Sequence, residues 1–379
     1  MKKYLRLIAP PLMVLALVIG LAACGGGDSS SSSSGSETEA ATTSEETGSE
    51  PASEEQPEAE SLPTSAVATT KPRTIGLLKL APSPIEETVT AAAEAAGKAL
   101  GWNVKVRDGG GDPAKLVAAI NAFANEKVEA LMICSYGTEG AERAAQQMKS
   151  EGTPIIQIAG EAPASPNFTA VYAEDEHKMG ELLAENIVEE NSDAAKIGDI
   201  TLTIAYATKV REEALKEVIE RSKGSEITAS APFDLADPIG STQEAVGNML
   251  VSHPDINSVF AVSDINVLPA LAAIEAKRSD AKVYSYFSDP TTLEAMAEGK
   301  PVGAVLDVNL AVTPLVAMDQ LLGFFEKETP IDKNALTPEL LEYSIVTPEN
   351  APPEGEVVYP LPTTLQPYLE KWEKEYPVK

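Results

Sequence analysis

A strand-to-helix unit that recurs along the chain limits its possible folds more than any other feature. It is plainest in residues 253–275, HPDINSVFAVSDINVLPALAAIE. Residues 258–262 (SVFAV) form a short apolar, β-branched run of the kind that a sheet covers on both faces. Ser263 and Asp264 can cap the helix that follows, where Val267, Leu268, Leu271, Ala272 and Ile274 recur at helical spacing. The polar turn stands at the carboxyl end of the strand, where open parallel sheets hold ligands.

From residue 74 the unit repeats. A first run reads as strands over 75–80, 103–107, 131–133 and 154–158, with helices over 84–100, 113–124 and 139–149. Ser83-Pro84 opens the first helix, with proline at the first helical position. A short strand at 170–171 leads to a helix over 175–191. The second run places strands near 197–204, 227–229, 259–262, 283–286 and 302–306, and helices near 209–221, 242–251, 265–276, 290–298 and 311–326. A last strand near 342–346 precedes a Pro-rich C-terminus. Strict alternation forces parallel sheets with right-handed crossovers and helices on both faces. Two such runs predict two α/β lobes, each large enough for its own core.

The N-terminal region is built differently. Lys2, Lys3 and Arg6 precede an apolar stretch over 12–21 and the small-residue site Leu21-Ala22-Ala23-Cys24. This pattern predicts an export signal over 1–23. The apolar run is too short, and Pro10-Pro11 too disruptive, for a spanning helix. Residues 24–71 are rich in Gly, Ser, Thr and Glu and poor in aromatics, so they cannot bury enough apolar surface to fold. A flexible tether of that length reaches about 40 Å.

The formal net charge of −29 argues against a nucleic-acid surface, which needs clustered Lys and Arg. The tether carries about a third of that charge. The two histidines, His177 and His253, have no metal-ligand spacing, and no HExxH, GxSxG or Walker string is present. Gly109-Gly110-Gly111 lacks the Lys-Ser/Thr of a phosphate loop. Cys134, inside an apolar run, reads as a small buried residue. No nucleophile–base pair emerges, so the chain is expected to be neither an enzyme nor a carrier of a cofactor or metal.

The order of elements, together with HPDINSVFAVSD, the closing strand Pro301-Val-Gly-Ala-Val-Leu-Asp307 and Ser344-Ile-Val-Thr-Pro-Glu-Asn350, resembles the type I periplasmic binding proteins. The likeness is to their ribose/galactose-binding branch, the substrate-binding components of ABC importers, and covers about residues 72–351. Leu-Ala-Ala-Cys-Gly is similar to a bacterial lipobox, which implies that Cys24 becomes a lipidated N-terminus. The resemblance implies two Rossmann-like lobes joined by a three-strand hinge. Residues 72–174 plus 308–333 would form the first, and 175–307 plus 334–379 the second. It further implies a monomer on the outer face of a membrane that traps a small polar solute, a sugar above all, and delivers it to a permease. A sensor that presents the solute to a membrane receptor would have the same fold.

Family contact positions fall on Ser83, Arg211, Ser263, Asp264, Phe287 and Asp307. Helix capping rivals ligand contact at Ser83 and Asp264. An ion pair with Glu212 or Glu213 rivals it at Arg211, whose planar fork suits hydroxyls or a carboxylate. Phe287 stands where the family has an acid, Ile85-Glu86 where ribose-binding members have two phenylalanines, and Ala159-Gly160-Glu161 where an Asp-Arg pair is usual. Pro238 falls near another expected aromatic. Tyr136, Tyr206 and Phe287 are then the aromatic candidates, and Glu86, Asp108, Glu161 and Asp175 the polar ones. So acidic a cleft suits an amine-bearing ligand as readily as a sugar.

Overall fold

The computed structural model describes residues 62–377 apart from 69 and 203. The export signal, Cys24 and most of the tether lie outside the described residues. Among those described, eleven strands form two sheets. Strands β1 (Thr74–Lys79), β2 (Asn103–Asp108), β3 (Ala130–Cys134), β4 (Ile155–Ile158) and β5 (Ala170–Tyr172) make the first, all parallel, in the order β2-β1-β3-β4-β5. In the second sheet β6 (Lys196–Thr201), β7 (Glu226–Pro232), β8 (Ser258–Ala261), β9 (Lys282–Tyr286) and β10 (Val302–Val308) repeat that order. β11 (Tyr343–Val346) is added antiparallel to β10. Both sheets are therefore doubly wound, with a switch point beside β1 and β3 in one and β6 and β8 in the other.

Helices α1 (Pro84–Leu100), α2 (Pro113–Glu126) and α3 (Glu142–Ser150) serve the first lobe; α4 (Glu176–Glu190), α5 (Tyr206–Arg221), α6 (Pro238–Ser252), α7 (Val267–Lys277) and α8 (Pro290–Ala297) serve the second. Ser83, Asp112, Asp237 and Asp289 each cap a helix whose next residue is proline. That pairing supplies an acceptor for an orphan amide and a preset φ at the first helical position. The helix expected at 265–276 instead begins with a 3-10 turn, Asp264–Asn266. The central strands β3, β4 and β10 are buried throughout, as strands covered on both faces must be.

The chain passes between the two lobes more than once. It leaves β5 for α4, returns from β10 to α9 (Val312–Lys327), which packs on α1, β3, β4 and β5, and crosses again to β11. A fourth pass follows. Residues 347–360 lead to α10 (Leu361–Glu375), which lies against α1 and α9. The C-terminal tail expected in the second lobe is thus divided, with β11 in the second sheet and α10 on the first lobe. Leu365, Tyr368, Leu369 and Trp372 have the i, i+3, i+4, i+7 spacing of a packed face, which Pro360, Pro362 and Pro367 obscure in the sequence. The tether also ends earlier than residue 71. Val67 and Ala68 donate backbone hydrogen bonds to the Ala99 carbonyl, Ala68 is buried, and the Trp102 indole donates to Thr70 Oγ1 at 2.9 Å.

Trp372 is fully buried, and its Nε1 donates to Asp319 Oδ1 at 3.0 Å. Trp372→Ala is expected to cost about 3–5 kcal/mol of stability, the usual range for deleting a buried indole. Urea midpoints of the two proteins check this; equal midpoints would mean that α10 contributes nothing to the first lobe.

Candidate functional site

The carboxyl ends of the four strands that flank the two switch points meet at one cavity of about 70 Å³ between the lobes. Leu80, Ala81 and Ser83 follow β1, Cys134 and Ser135 end β3, Leu202 and Ala205 follow β6, and Ser263 and Ile265 follow β8; all line it. Side chains from both lobes thus surround a single space, as the crossing of two doubly wound sheets requires.

Backbone strain concentrates on the same walls. Ser135, Ala159 and Phe287 end β3, β4 and β9 with φ of 56°, 42° and 64°. Each lines the cavity. The other non-glycine residues with positive φ (Lys127, Ser192, Asp193, Arg278 and Glu328) lie at or just past helix C-termini, where the left-handed conformation is ordinary. A left-handed phenylalanine is costly and persists where surrounding packing overdetermines it, as it does at binding sites.

Arg211 holds the floor of the second lobe. It is buried on α5, and its Nε donates to Glu176 Oε2 at 2.5 Å and Nη1 to the Val262 carbonyl at 2.8 Å. Glu174 lies 3.8 Å from Nη2. The rings of Tyr286 and Phe287 cover the guanidinium at 4.5 and 5.0 Å. Its partners are therefore carboxylates of the first crossing segment, not the expected neighbours Glu212 and Glu213. Glu174 accepts from the Gly160 amide with both oxygens, at 3.0 and 2.9 Å. Burial, then the Glu176 charge, push the Glu174 carboxyl upward, against the pull of Arg211. α4 and α5 approach this closely because Gly180 has no Cβ, which would meet the Arg211 carbonyl at 2.6 Å.

Of the residues anticipated from sequence, Ser83, Glu86, Arg211, Ser263 and Phe287 line this cavity. Ser83 also caps α1, its Oγ accepting from the Glu86 amide at 3.3 Å. Burial drives the Glu86 carboxyl well above the usual range, opposed by the Ala81 and Leu80 amides and by Lys79. Tyr136 and Tyr206 stand apart, both lining a chamber of about 190 Å³ that shares Ser135 with the central cavity. Asp307 lines a third space of about 120 Å³, which shares Ile85, Phe287 and Leu310 with the centre and has Val357, Val358 and Tyr359 of the fourth pass on its wall. Its carboxylate accepts from the Ser288 hydroxyl and the Val308 amide, and burial raises its pKa to about 6.

Four anticipated residues, Glu161 among them, lie off these walls. Asp108 ends β2, accepting from the Gly110 amide at 2.7 Å and facing Lys79 at 3.5 Å. Asp175 caps α4 through the Lys178 amide and is exposed, because in the run Glu174-Asp175-Glu176 its two neighbours turn inward. Asp264 has its oxygens engaged within the protein. Oδ1 accepts from Ser263 Oγ at 2.6 Å and the Ile85 amide donates to Oδ2 at 2.9 Å, so a second-lobe carboxylate caps the first turn of a first-lobe helix. Sequence reasoning missed Glu174, Glu176, Thr208 and Phe233. An arginine placed in a cleft implies carboxylates opposite it, which would have pointed to the first two. Phe233 is the wall aromatic looked for near Pro238.

A family model described as a periplasmic binding protein domain matches residues 77–308. The chain belongs to that family. Its sequence relatives include ribose import binding proteins. It is similar to the ribose import binding protein RbsB of Bacillus subtilis, 26% identical over 229 residues that span 60% of this chain and 73% of that one. The RbsB of Escherichia coli is 25% identical over 203 residues, 53% and 67% of the two chains. Among solved structures, a galactofuranose binding protein shares the fold with a TM-score of 0.65 at 19% identity, over 81% of this chain and 100% of that one. The 5-methylthioribose transporter solute binding protein of Thermotoga lettingae TMO gives 0.66 at 19% identity, over 79% and 97%.

The bond from Ile85 to Asp264 should act as a latch between the lobes of this periplasmic binding protein. Hydrogen bonds to charged groups contribute about 1.5–3 kcal/mol. Asp264→Ala is therefore expected to favour the open form and to enlarge the unliganded particle in solution scattering. An unchanged radius of gyration would show that the bond does not hold the lobes together.

Proposed function

We propose that this chain is an extracytoplasmic solute-binding protein that encloses a small sugar or sugar-like molecule between its lobes and delivers it to the permease of an ABC importer. The observation that carries this reading is the convergence of four strand ends, from two lobes linked by several passes of chain, on one cavity. Family membership, and relatives named for ribose, galactofuranose and 5-methylthioribose, support the solute class and a place outside the cytoplasm. No catalytic step is needed. Contacts drawn from both lobes are complete only when the cleft is closed, so a solute favours closure by the difference in its affinity for the two states. Arg211 offers donors to hydroxyls, Phe287 a flat face, and Ser83 and Ser263 hydroxyls from opposite lobes. The basic, apolar and small-residue order before Cys24 supports export and a lipid anchor. Several acyl chains at about 0.8 kcal/mol per buried CH₂ make such an anchor effectively permanent.

Two experiments test this. Solution scattering of the chain from Cys24 onward, titrated with pentoses, hexoses and inositols, is expected to show compaction with at least one of them, alongside a raised melting temperature. A particle that none of them changes would refute the solute class. Separately, Cys24→Ser is expected to abolish labelling by a fatty-acid precursor and to release the protein from the membrane fraction; full retention of label would place the anchor elsewhere.

A further inference from the structure

The central cavity is rich in hydrogen-bond acceptors and poor in free donors. A serine or threonine hydroxyl has one proton to donate, and on these walls it is largely committed. Ser135 Oγ donates to the Ala159 carbonyl at 3.0 Å, Thr208 Oγ1 to the Leu202 carbonyl at 2.8 Å, and Ser263 Oγ to Asp264 Oδ1 at 2.6 Å. Two of the guanidinium nitrogens of Arg211 are turned to Glu176 and the Val262 carbonyl.

Glu86 stands against this. It sits in the first turn of α1, only 6% exposed, and lines the cavity. Its Oε2 is buried and has no hydrogen-bond partner among the described residues. Lys79, the cation that bears on it, is held by Glu87 at 2.5 Å and Asp108 at 3.5 Å. Glu86 and Glu174 line the cavity with one arginine, Arg211, which Glu174 and Glu176 already flank. The remaining wall is apolar, with Val89, Leu202, Phe233, Leu235 and Phe287 excluding the water that would screen a charge.

We propose that the solute carries a protonated amine that docks on Glu86, which makes it an amine-bearing sugar or polyol. The inference rests on the solute-binding reading above and narrows it. Burial disfavours the charged form of Glu86 and leaves its Oε2 without a partner among the described residues; an ammonium there supplies three donors, brings no acceptor of its own and favours the ionised carboxylate. A hydroxyl in the same place brings lone pairs that these walls have few donors to satisfy. The apolar wall covers the carbon frame of the solute, and Arg211 takes a hydroxyl at the other end.

Titration calorimetry of the chain from Cys24 onward, with D-glucosamine against D-glucose, D-galactosamine against D-galactose, and their N-acetyl derivatives, tests the proposal. At pH 7 the amine is expected to bind at least about tenfold more tightly than its neutral parent, the measure of one charge-assisted hydrogen bond. N-acetylation should abolish that preference. Glu86→Gln should bring amine and parent to within about twofold, on the same scale. If the variant does not fold, the wild-type pairs decide alone. A neutral sugar that closes the cleft and binds as tightly as its amine overturns the inference and leaves the sugar-binding reading intact. Binding of a simple alkyl diamine but of no sugar does the reverse, overturning the solute class and supporting the Glu86 contact. No binding by any of these compounds overturns both.

Discussion

The buried ion cluster of Arg211 holds the cleft together. It joins the first crossing segment, through Glu174 and Glu176, to α5, to the end of β8 through the Val262 carbonyl, and to the end of β9 through two aromatic rings. Removing one member of such a group leaves the others as uncompensated buried charges, a cost of about 3–5 kcal/mol. An arginine in this place is therefore a structural tie. The left-handed backbone at Ser135, Ala159 and Phe287 stands on the same walls.

Closure has elements of its own beyond solute contacts. Asp264 reaches from the second lobe to the helix that opens the first, and its partner Ile85 lies on the wall between the central cavity and the chamber that contains Asp307. The fourth pass of chain covers that chamber with Val357, Val358 and Tyr359 before α10 docks on the first lobe. The two lobes are thus linked by a C-terminal strap as well as by three other passes of chain. Any solute must bring enough differential affinity to outweigh or exploit those contacts.

Much of the fold was legible because strand–helix alternation is a local property. Apolar runs, Ser-Pro and Asp-Pro caps and helical spacing identify elements one at a time, and alternation leaves few topologies open. The failures are instructive. α10 was hidden by Pro360, Pro362 and Pro367, although the spacing of Leu365, Tyr368, Leu369 and Trp372 was present; an amphipathic face outweighed the proline signal. Val67 and Ala68 looked like tether because their composition is no different from it, and only the Ala99 carbonyl and a gap in the first lobe gave them a place. At the candidate site, one-residue differences in direction mattered most. Asp175 was chosen between the two glutamates that turn inward, and Phe233 was overlooked for a position five residues later.

What the sequence determined by itself was the class of fold, the strand ends around the cavity, and a few of the side chains presented there, since strand ends carry their turns with them. Only the tertiary structure decided which of those side chains are already occupied. Asp264 is engaged by the other lobe, Arg211 by two carboxylates and a carbonyl, and Glu86 has a buried oxygen with no partner among the described residues. Partnership depends on distances between residues far apart in the chain, and composition and periodicity contain no record of those distances.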